Sequence, residues 1–212
     1  MSADREIAEI LSELGFVGPG SALAARSALE QAGLTRAGKT RISAEKIEKV
    51  RQLLDATFAR ACADQACRTA LARQKPLANL LSVPKSACEF CGGSDNLKSM
   101  RTFERLCRAK AVRRIVVVGG SPSVHAELLS LKPAEWELRL ISGTERRTLD
   151  RARADMEWAQ IVLIWGSSEL DHKVSRLYTE SPAALRRKLV PVARRGVAAL
   201  LDAGAEHLER TP

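Results

Sequence analysis

The densest chemistry in this chain lies in its cysteines. Cys62 and Cys67 are spaced C-x4-C, and Cys88 and Cys91 are spaced C-x2-C and followed by Gly92 and Gly93. The run CEFCGG has the form of a metal knuckle. A tight turn points backbone N–H groups at the sulfurs, and the glycines permit the backbone angles that the turn requires. Twenty residues separate the two pairs, a spacing found in four-cysteine structural sites. The surrounding stretch, KPLANLLSVPKSACEFCGGSDNLK, has too few large apolar residues to fold on a core alone, so a metal staple is expected there. The expected ion is zinc on Cys62, Cys67, Cys88 and Cys91. Four thiolates leave no open coordination position, so such a zinc is structural rather than catalytic. The competing reading is four unrelated thiols. Cys107, beside Leu106 on an expected helix over 99–111, reads as a buried thiol.

A second group of reactive side chains collects after apolar runs in the C-terminal half. GGSPSVH (119–125) follows RRIVVV, and GSSELDHK (166–173) follows QIVLIW. These loops carry Ser121, Ser123 and His125, and Ser167, Ser168, Asp171, His172 and Lys173. SGTERR adds Thr144, Arg146 and Arg147, and a last loop adds Arg194, Arg195 and Gly196. Small, hydroxyl and basic residues at helix starts favour an anion, so Ser121, Ser123, His125, Thr144, Arg146, Ser167, Asp171, His172, Lys173 and Arg194 are the candidate binders of a phosphate-bearing ligand. His125, Asp171, His172 and Lys173 are also the residues that an enzyme acting on nucleotides or phosphate esters would use for acid–base and charge-stabilising roles. The competing reading makes each histidine a helix cap or a surface residue. No catalytic residue is assigned. Trp165, at a strand tip, reads as a packed core residue, and His207 as incidental. GGSPS is neither a GxGxxG nor a Walker loop, so no standard dinucleotide or ATP signature is present.

The elements that must position these residues alternate. Strands are expected at 114–118, 137–141, 161–165 and 188–193. Helices are expected at 123–131, 148–159, 169–178 and over VAALLDAGAEHL (197–208). Alternation of this kind implies a parallel sheet with right-handed crossovers. The fully apolar strands 114–118 and 161–165 belong at its centre, and Pro191 places the last strand at an edge. The expected order is 137–141, 114–118, 161–165, 188–193, a small flavodoxin-like or Rossmann-like sheet. Its switch point falls between 114–118 and 161–165, where ligands bind in open α/β sheets.

The first sixty residues read as helical: 3–14 with Ser2 as N-cap, a second helix capped by Ser21 and ending at Gly33, and a long third from Ser43 to about Leu71. Between the second and third lies GLTRAGKTRIS, with Arg36, Lys39 and Arg41 and no acid. Three helices and a basic connector have a helix-turn-helix or winged-helix layout, and equally that of a packing or dimerisation module.

With 212 residues, 45% of them hydrophobic, the chain can bury a core in one or two domains. No apolar run reaches the roughly 18–20 residues of a membrane helix. The start, MSADREIAEILSEL, has acids where a secretion signal has bases. A cytoplasmic protein without membrane partners is therefore expected, its cysteines metal ligands or buried thiols rather than disulfides. Of the formal net charge of +9, residues 61–114 hold +7, from eleven basic and four acidic side chains. Four zinc-bound thiolates lower that segment to +5. A field of that sign attracts nucleic acid or acidic partners, with Arg36, Lys39, Arg41, Lys98, Arg101, Arg105 and Arg108 as the candidate contacts; a solvated basic face is the alternative. Aromatic residues are only 4% of the chain, which favours duplex backbone contact over base stacking on single strands.

Residues 113–195 resemble the bacterial domain-of-unknown-function family 2325. The resemblance rests on the strand ending in Gly-Gly (RRIVVVGG), the strand QIVLIWG, and the polar run SSELDHK ending at His172 and Lys173. It implies a small Rossmann-like sheet of the kind often joined to other modules, and it assigns no catalytic role. The whole chain thus reads as three segments: a helical domain over 1–61, a zinc-binding basic segment over 62–111, and a Rossmann-like α/β domain over 112–212. The expectation is a zinc-containing nucleic-acid-binding or regulatory protein whose α/β domain holds a ligand or makes homodimer contacts. The rivals are a nucleotide sensor and an enzyme.

Overall fold

The structure is a computed structural model that describes residues 4–167 and 170–211. Ser2, Ser168 and Glu169, read above as a cap, a rim residue and a helix start, lie outside the described residues. The chain forms two compact units, Met1–Ser94 and Asp95–Pro212, rather than three segments.

In the first unit, β1 (Arg5–Glu6) leads into α1 (Ile7–Glu13) and α2 (Pro19–Gln31). Strand β2 (Arg41–Ile42) pairs antiparallel with β1, and a short 3-10 turn precedes α3 (Ile47–Thr57). Ile7, Ile10, Leu11, Phe16, Ala25, Leu29, Val50 and Leu54 interlock as one core. The N-cap of α2 is Gly18, not Ser21. Ser21 lies inside the helix and its hydroxyl donates back to the carbonyls of Val17 and Gly18 at 3.0 and 3.1 Å.

The expected long third helix stops at Thr57. Phe58–Ala61 is instead a strand, β3, paired in parallel with β4 (Asn79–Ser82) around the intervening α4 (Gln65–Gln74). The helical spacing of Phe58 and Ala61 is real, but long-range pairing overrides it. As a strand, the segment buries small Ala59 and Ala61 beside the cysteines and sets Phe58 edge-on to Phe16, with ring centroids 5.8 Å apart.

The second unit opens with α5 (Asp95–Ala109). It continues through β5 (Arg114–Val118), α6 (Pro122–Leu131), β6 (Glu137–Ile141), α7 (Leu149–Trp158), β7 (Ile161–Trp165), α8 (His172–Thr179), α9 (Ala183–Arg186), β8 (Leu189–Val192) and α10 (Val197–Arg210). The sheet is wholly parallel in the order β6-β5-β7-β8, as the sequence predicts, with Pro191 on the edge strand. Alternate residues of the central strands feed two cores. Ile115, Val117, Ile161, Leu163 and Trp165 pack against α5, α6 and α10. Val116, Val118, Val162 and Ile164 pack against α7 and α8. Covering on both faces explains why these strands are continuously apolar.

Helix α5 buries Met100, Phe103, Leu106 and Cys107 against this sheet. The basic segment therefore does not form a module with the cysteines. Within 61–114, the four cysteines stay in the first unit, and seven of the eleven basic residues belong to the second.

Candidate metal centre and switch-point cleft

Cys62 leaves the end of β3, and Cys67 sits in the first turn of α4. The Asp64 carboxylate caps that helix by accepting from the N–H groups of Ala66 and Cys67. Cys88 and Cys91 lie in a turn closed by Gly92 N–H donating to Cys88 O at 2.8 Å. Gly93, at φ +84°, passes so close to Ser86 that a Cβ would stand 3.3 Å from its Cα, so the turn requires glycine there.

All four sulfurs are buried and lie within 4.8 Å of one another, with Cys62 and Cys91 at 4.0 Å. A tetrahedral zinc with bonds of about 2.3 Å would set the sulfurs about 3.8 Å apart, a contraction of a few tenths of an ångström to 1 Å. The cluster can therefore hold a metal ion, as the spacing predicts.

Burial pushes the Cys67 thiol up, and its neighbours Cys62, Cys88 and Cys91 add to that. Burial also pushes Cys91 up. At Cys88 burial opposes, but N–H groups of Cys91, Cys62 and Phe90 aimed at its sulfur outweigh it and bring the thiol down to about 7. This is the N–H-to-sulfur pattern expected of a knuckle.

Sequence reasoning missed how the knuckle is moored. Glu89, between the two cysteines, donates its N–H to Arg60 O at 2.9 Å and accepts from Arg60 N–H at 3.2 Å. Its carboxylate also pairs with the Arg60 guanidinium at 2.7 Å and with Lys75 at 2.9 Å. Arg60 in turn pairs with Asp55 and lies over the Phe16 ring at 4.6 Å. The one available signal was an acid placed between two ligands in a basic stretch.

In the second unit, a cleft of about 410 Å³ opens at the switch point between β5 and β7. It is lined by Gly120, Ser121, Val124, Trp165, Ser167, Arg195 and Gly196. Of the predicted rim, Ser121 and Ser167 face it. The Ser121 hydroxyl lies 3.0 Å from that of Ser123. Arg195, rather than Arg194, reaches the cleft, and its Nε donates to Ser167 O at 3.2 Å. Arg194 lines a neighbouring hollow beside α10, and its carbonyl accepts from Trp165 Nε1 at 3.0 Å. Trp165 is buried, as expected.

The two histidines do not converge. His125 lines a hollow with Leu140 and Ser142 on the β6 side, and its Nε2–H donates to Gly119 O at 2.8 Å. A carbonyl only accepts, so Nε2 carries the proton. His172 is exposed at the start of α8 and lines a third hollow with Thr179 and Val192. Asp171 is the cap of α8, accepting from the N–H of Lys173 at 2.8 Å, and Lys173 is exposed. Thr144 pairs with Ser142 at 3.1 Å, and Arg146 is exposed. The acid–base constellation of His125, Asp171, His172 and Lys173 is therefore not assembled around one cleft.

The neighbouring Arg147 serves the core. With Arg139 and Tyr178 it surrounds the buried carboxylate of Asp155, Arg139 and Tyr178 each at 3.1 Å. Of the candidate nucleic-acid contacts, Arg36, Lys39, Arg41 and Arg105 are exposed and Lys98 and Arg101 are half-buried. Arg108 is held by Glu104 at 2.8 Å and Glu135 at 3.1 Å.

No protein-family model matches the chain, and no curated protein or solved structure is significantly similar to it. Among the described residues, no helix is long and apolar enough to cross a membrane.

Proposed function

We propose that the first unit is a zinc-stapled module that binds duplex nucleic acid, and that the second is a regulatory domain that takes a small ligand or a second copy of the chain. One observation carries the duplex reading. Arg26, midway along α2, donates from its guanidinium to Lys39 O at 2.7 Å, which ties the basic loop 33–40 against that helix. Arg36 and Lys39 are exposed there, and neither side chain has an ion-pair or hydrogen-bond partner among the described residues. Arg41, which follows the loop in β2, is anchored to Asp4 O and Glu6.

The same face of α2 exposes Leu23, Ser27 and Gln31. Helix α1, a tight turn through Gly15–Gly18 and α2 follow the order of a helix-turn-helix, whose second helix enters the major groove. Apolar and amide side chains on such a helix suit thymine methyls and adenine edges. Zinc is the reading for the metal because four thiolates with closed tetrahedral spacing favour it. Four such thiolates need a reducing compartment, which makes the cytoplasm the proposed location.

The test is fluorescence anisotropy of the zinc-loaded chain with random-sequence duplex DNA across a salt series. Binding is expected at low salt and should weaken steeply as salt rises. In the double variant Arg36→Ala, Lys39→Ala the log–log slope should flatten by about 2, because each lost phosphate contact removes about 0.9. No binding at low salt, or an unchanged slope in the double variant, overturns the reading.

A further inference from the structure

The two edges of the parallel sheet are not alike. At the β8 edge, Val162 N–H donates to Lys188 O at 2.8 Å, so Lys188, Val190 and Val192 turn their backbone groups to β7 while Leu189 and Pro191 turn theirs outward. Pro191 has no N–H, which deprives that edge of a donor and blunts it against a further strand. At the β6 edge, Glu137 N–H donates to Arg113 O and Ile141 O accepts from Gly119 N–H, both at 2.9 Å. Residues 137, 139 and 141 therefore face β5, and the N–H and C=O groups of Leu138 and Leu140 point outward with no strand beside them among the described residues. β6 has no proline, and its register with β5 runs unbroken from Glu137 to Ile141, so no bulge turns this edge away.

The side chains along β6 divide by face. Leu138 and Leu140 are half-buried and pack against the core beneath α6. Beside them Pro122, Ala126 and Leu129 form an exposed apolar stripe along α6, and this stripe shares a hollow of about 340 Å³ with Leu140. Glu137 and Arg139 stand on the other face. Glu137 is exposed, and its carboxylate has no partner among the described residues. The Arg139 guanidinium lies over the Trp158 ring at 3.9 Å and gives one nitrogen to Asp155 at 3.1 Å; its side chain is 41% exposed.

The run Glu137-Leu138-Arg139 is complementary to itself when laid antiparallel. With Leu138 opposite Leu138, Glu137 falls opposite Arg139, and the pair forms twice. Centring instead on Arg139 opposes two arginines, and centring on Leu140 leaves Arg139 opposite Ile141. We infer that β6 pairs antiparallel with β6 of a second copy of the chain, about a two-fold axis through Leu138, so that two four-stranded sheets become one of eight strands. The outward N–H and C=O of Leu138 bond those of the partner's Leu138, and Leu140 N–H meets the carbonyl of the partner's Trp136. Both apolar α6 stripes then lie on one face of the seam, with the two Glu137–Arg139 pairs on the other. The inference rests on the second-copy reading of the second unit and adds its surface and register.

The experiment is sedimentation equilibrium of the full chain in reducing buffer. Wild type should dimerise with a micromolar dissociation constant, as a short interface allows. Glu137→Arg should weaken the dimer by about tenfold or more, because two opposite-charge pairs become like-charge pairs. Glu137 is exposed, so the variant's melting temperature, measured where both proteins are monomeric, should match wild type. A second measurement reads the register. Opposed Leu138 residues bring their Cα atoms to about 5.5 Å, within disulfide reach. Leu138→Cys treated with diamide should therefore give a disulfide-linked dimer, two thiols passing two electrons and two protons to the diamide. Leu140→Cys and wild type should give none. A chain still monomeric near millimolar concentration overturns the inference and the second-copy reading with it. A dimer that Glu137→Arg leaves unchanged, or one that links through Leu140→Cys and not through Leu138→Cys, overturns the β6 seam and leaves the second-copy reading standing.

Discussion

Removing metal from the four-cysteine cluster should destabilise the first unit and spare the second. Around the four cysteines the buried residues are Ala59, Ala61, Leu71 and Phe90, so only two large apolar side chains support the site. Burying those two contributes about 3–6 kcal/mol. A structural zinc on four thiolates contributes an apparent 10–16 kcal/mol or so at neutral pH. A bound zinc would therefore do more than apolar packing to hold residues 62–67 and 84–93 in place. If only about 3 kcal/mol of that reaches global stability, a domain of this size should lose about 12–24 °C in melting temperature. The assay is differential scanning calorimetry of the full chain, with and without a strong chelator, alongside metal analysis of wild type and Cys88→Ser. One transition should fall by at least about 12 °C and the other should move by less than about 2 °C, because the cores of the second unit contain none of the four cysteines. Near-stoichiometric metal should be lost in the variant. Metal-free protein with both transitions unmoved would refute the reasoning and leave the cysteines as buried thiols.

Two further predictions concern the second unit. Gly204 lies in α10 where an added Cβ would come 2.8 Å from the Phe103 ring of α5, so Gly204→Ala should cost about 1–3 kcal/mol by overpacking, more than the roughly 1 kcal/mol gained in helix propensity; chemical denaturation measures it, and a stabilised variant would contradict the packing. Burial raises the Cys107 thiol from its ordinary 9.0 to about 12, so its contribution to stability should be full below about pH 9 and decline from pH 9 towards 12, as the unfolded thiol ionises first. Cys107→Ala should flatten that decline in denaturation curves taken between pH 8 and 11, and an unchanged profile would be inconsistent with the buried thiol as its source.

The order of the parallel sheet and the four-cysteine cluster were legible from the sequence because both are written in local pattern. Two uninterrupted apolar strands have to be central, a proline inside a strand has to sit where its missing N–H costs least, and C-x2-C-G-G carries its own turn chemistry. What only the tertiary structure decided depends on partners far along the chain or on the direction in which a loop leaves its strand. Phe58–Ala61 is helical in spacing, yet it pairs with a strand about twenty residues on and buries its alanines beside the cysteines. His125 and Ser121 stand four residues apart, yet the histidine ring turns to the β6 side, where it bonds Gly119 O, while the serine, an N-cap with extended backbone outside the helix, stays at the cleft. Arg194 and Arg195 are adjacent in sequence, yet in the bend that follows β8 only Arg195 reaches the cleft. The division at Ser94 follows from α5, whose apolar stripe is legible but whose partner, the sheet ahead of it rather than the cysteines behind it, is chosen by where the larger apolar surface lies.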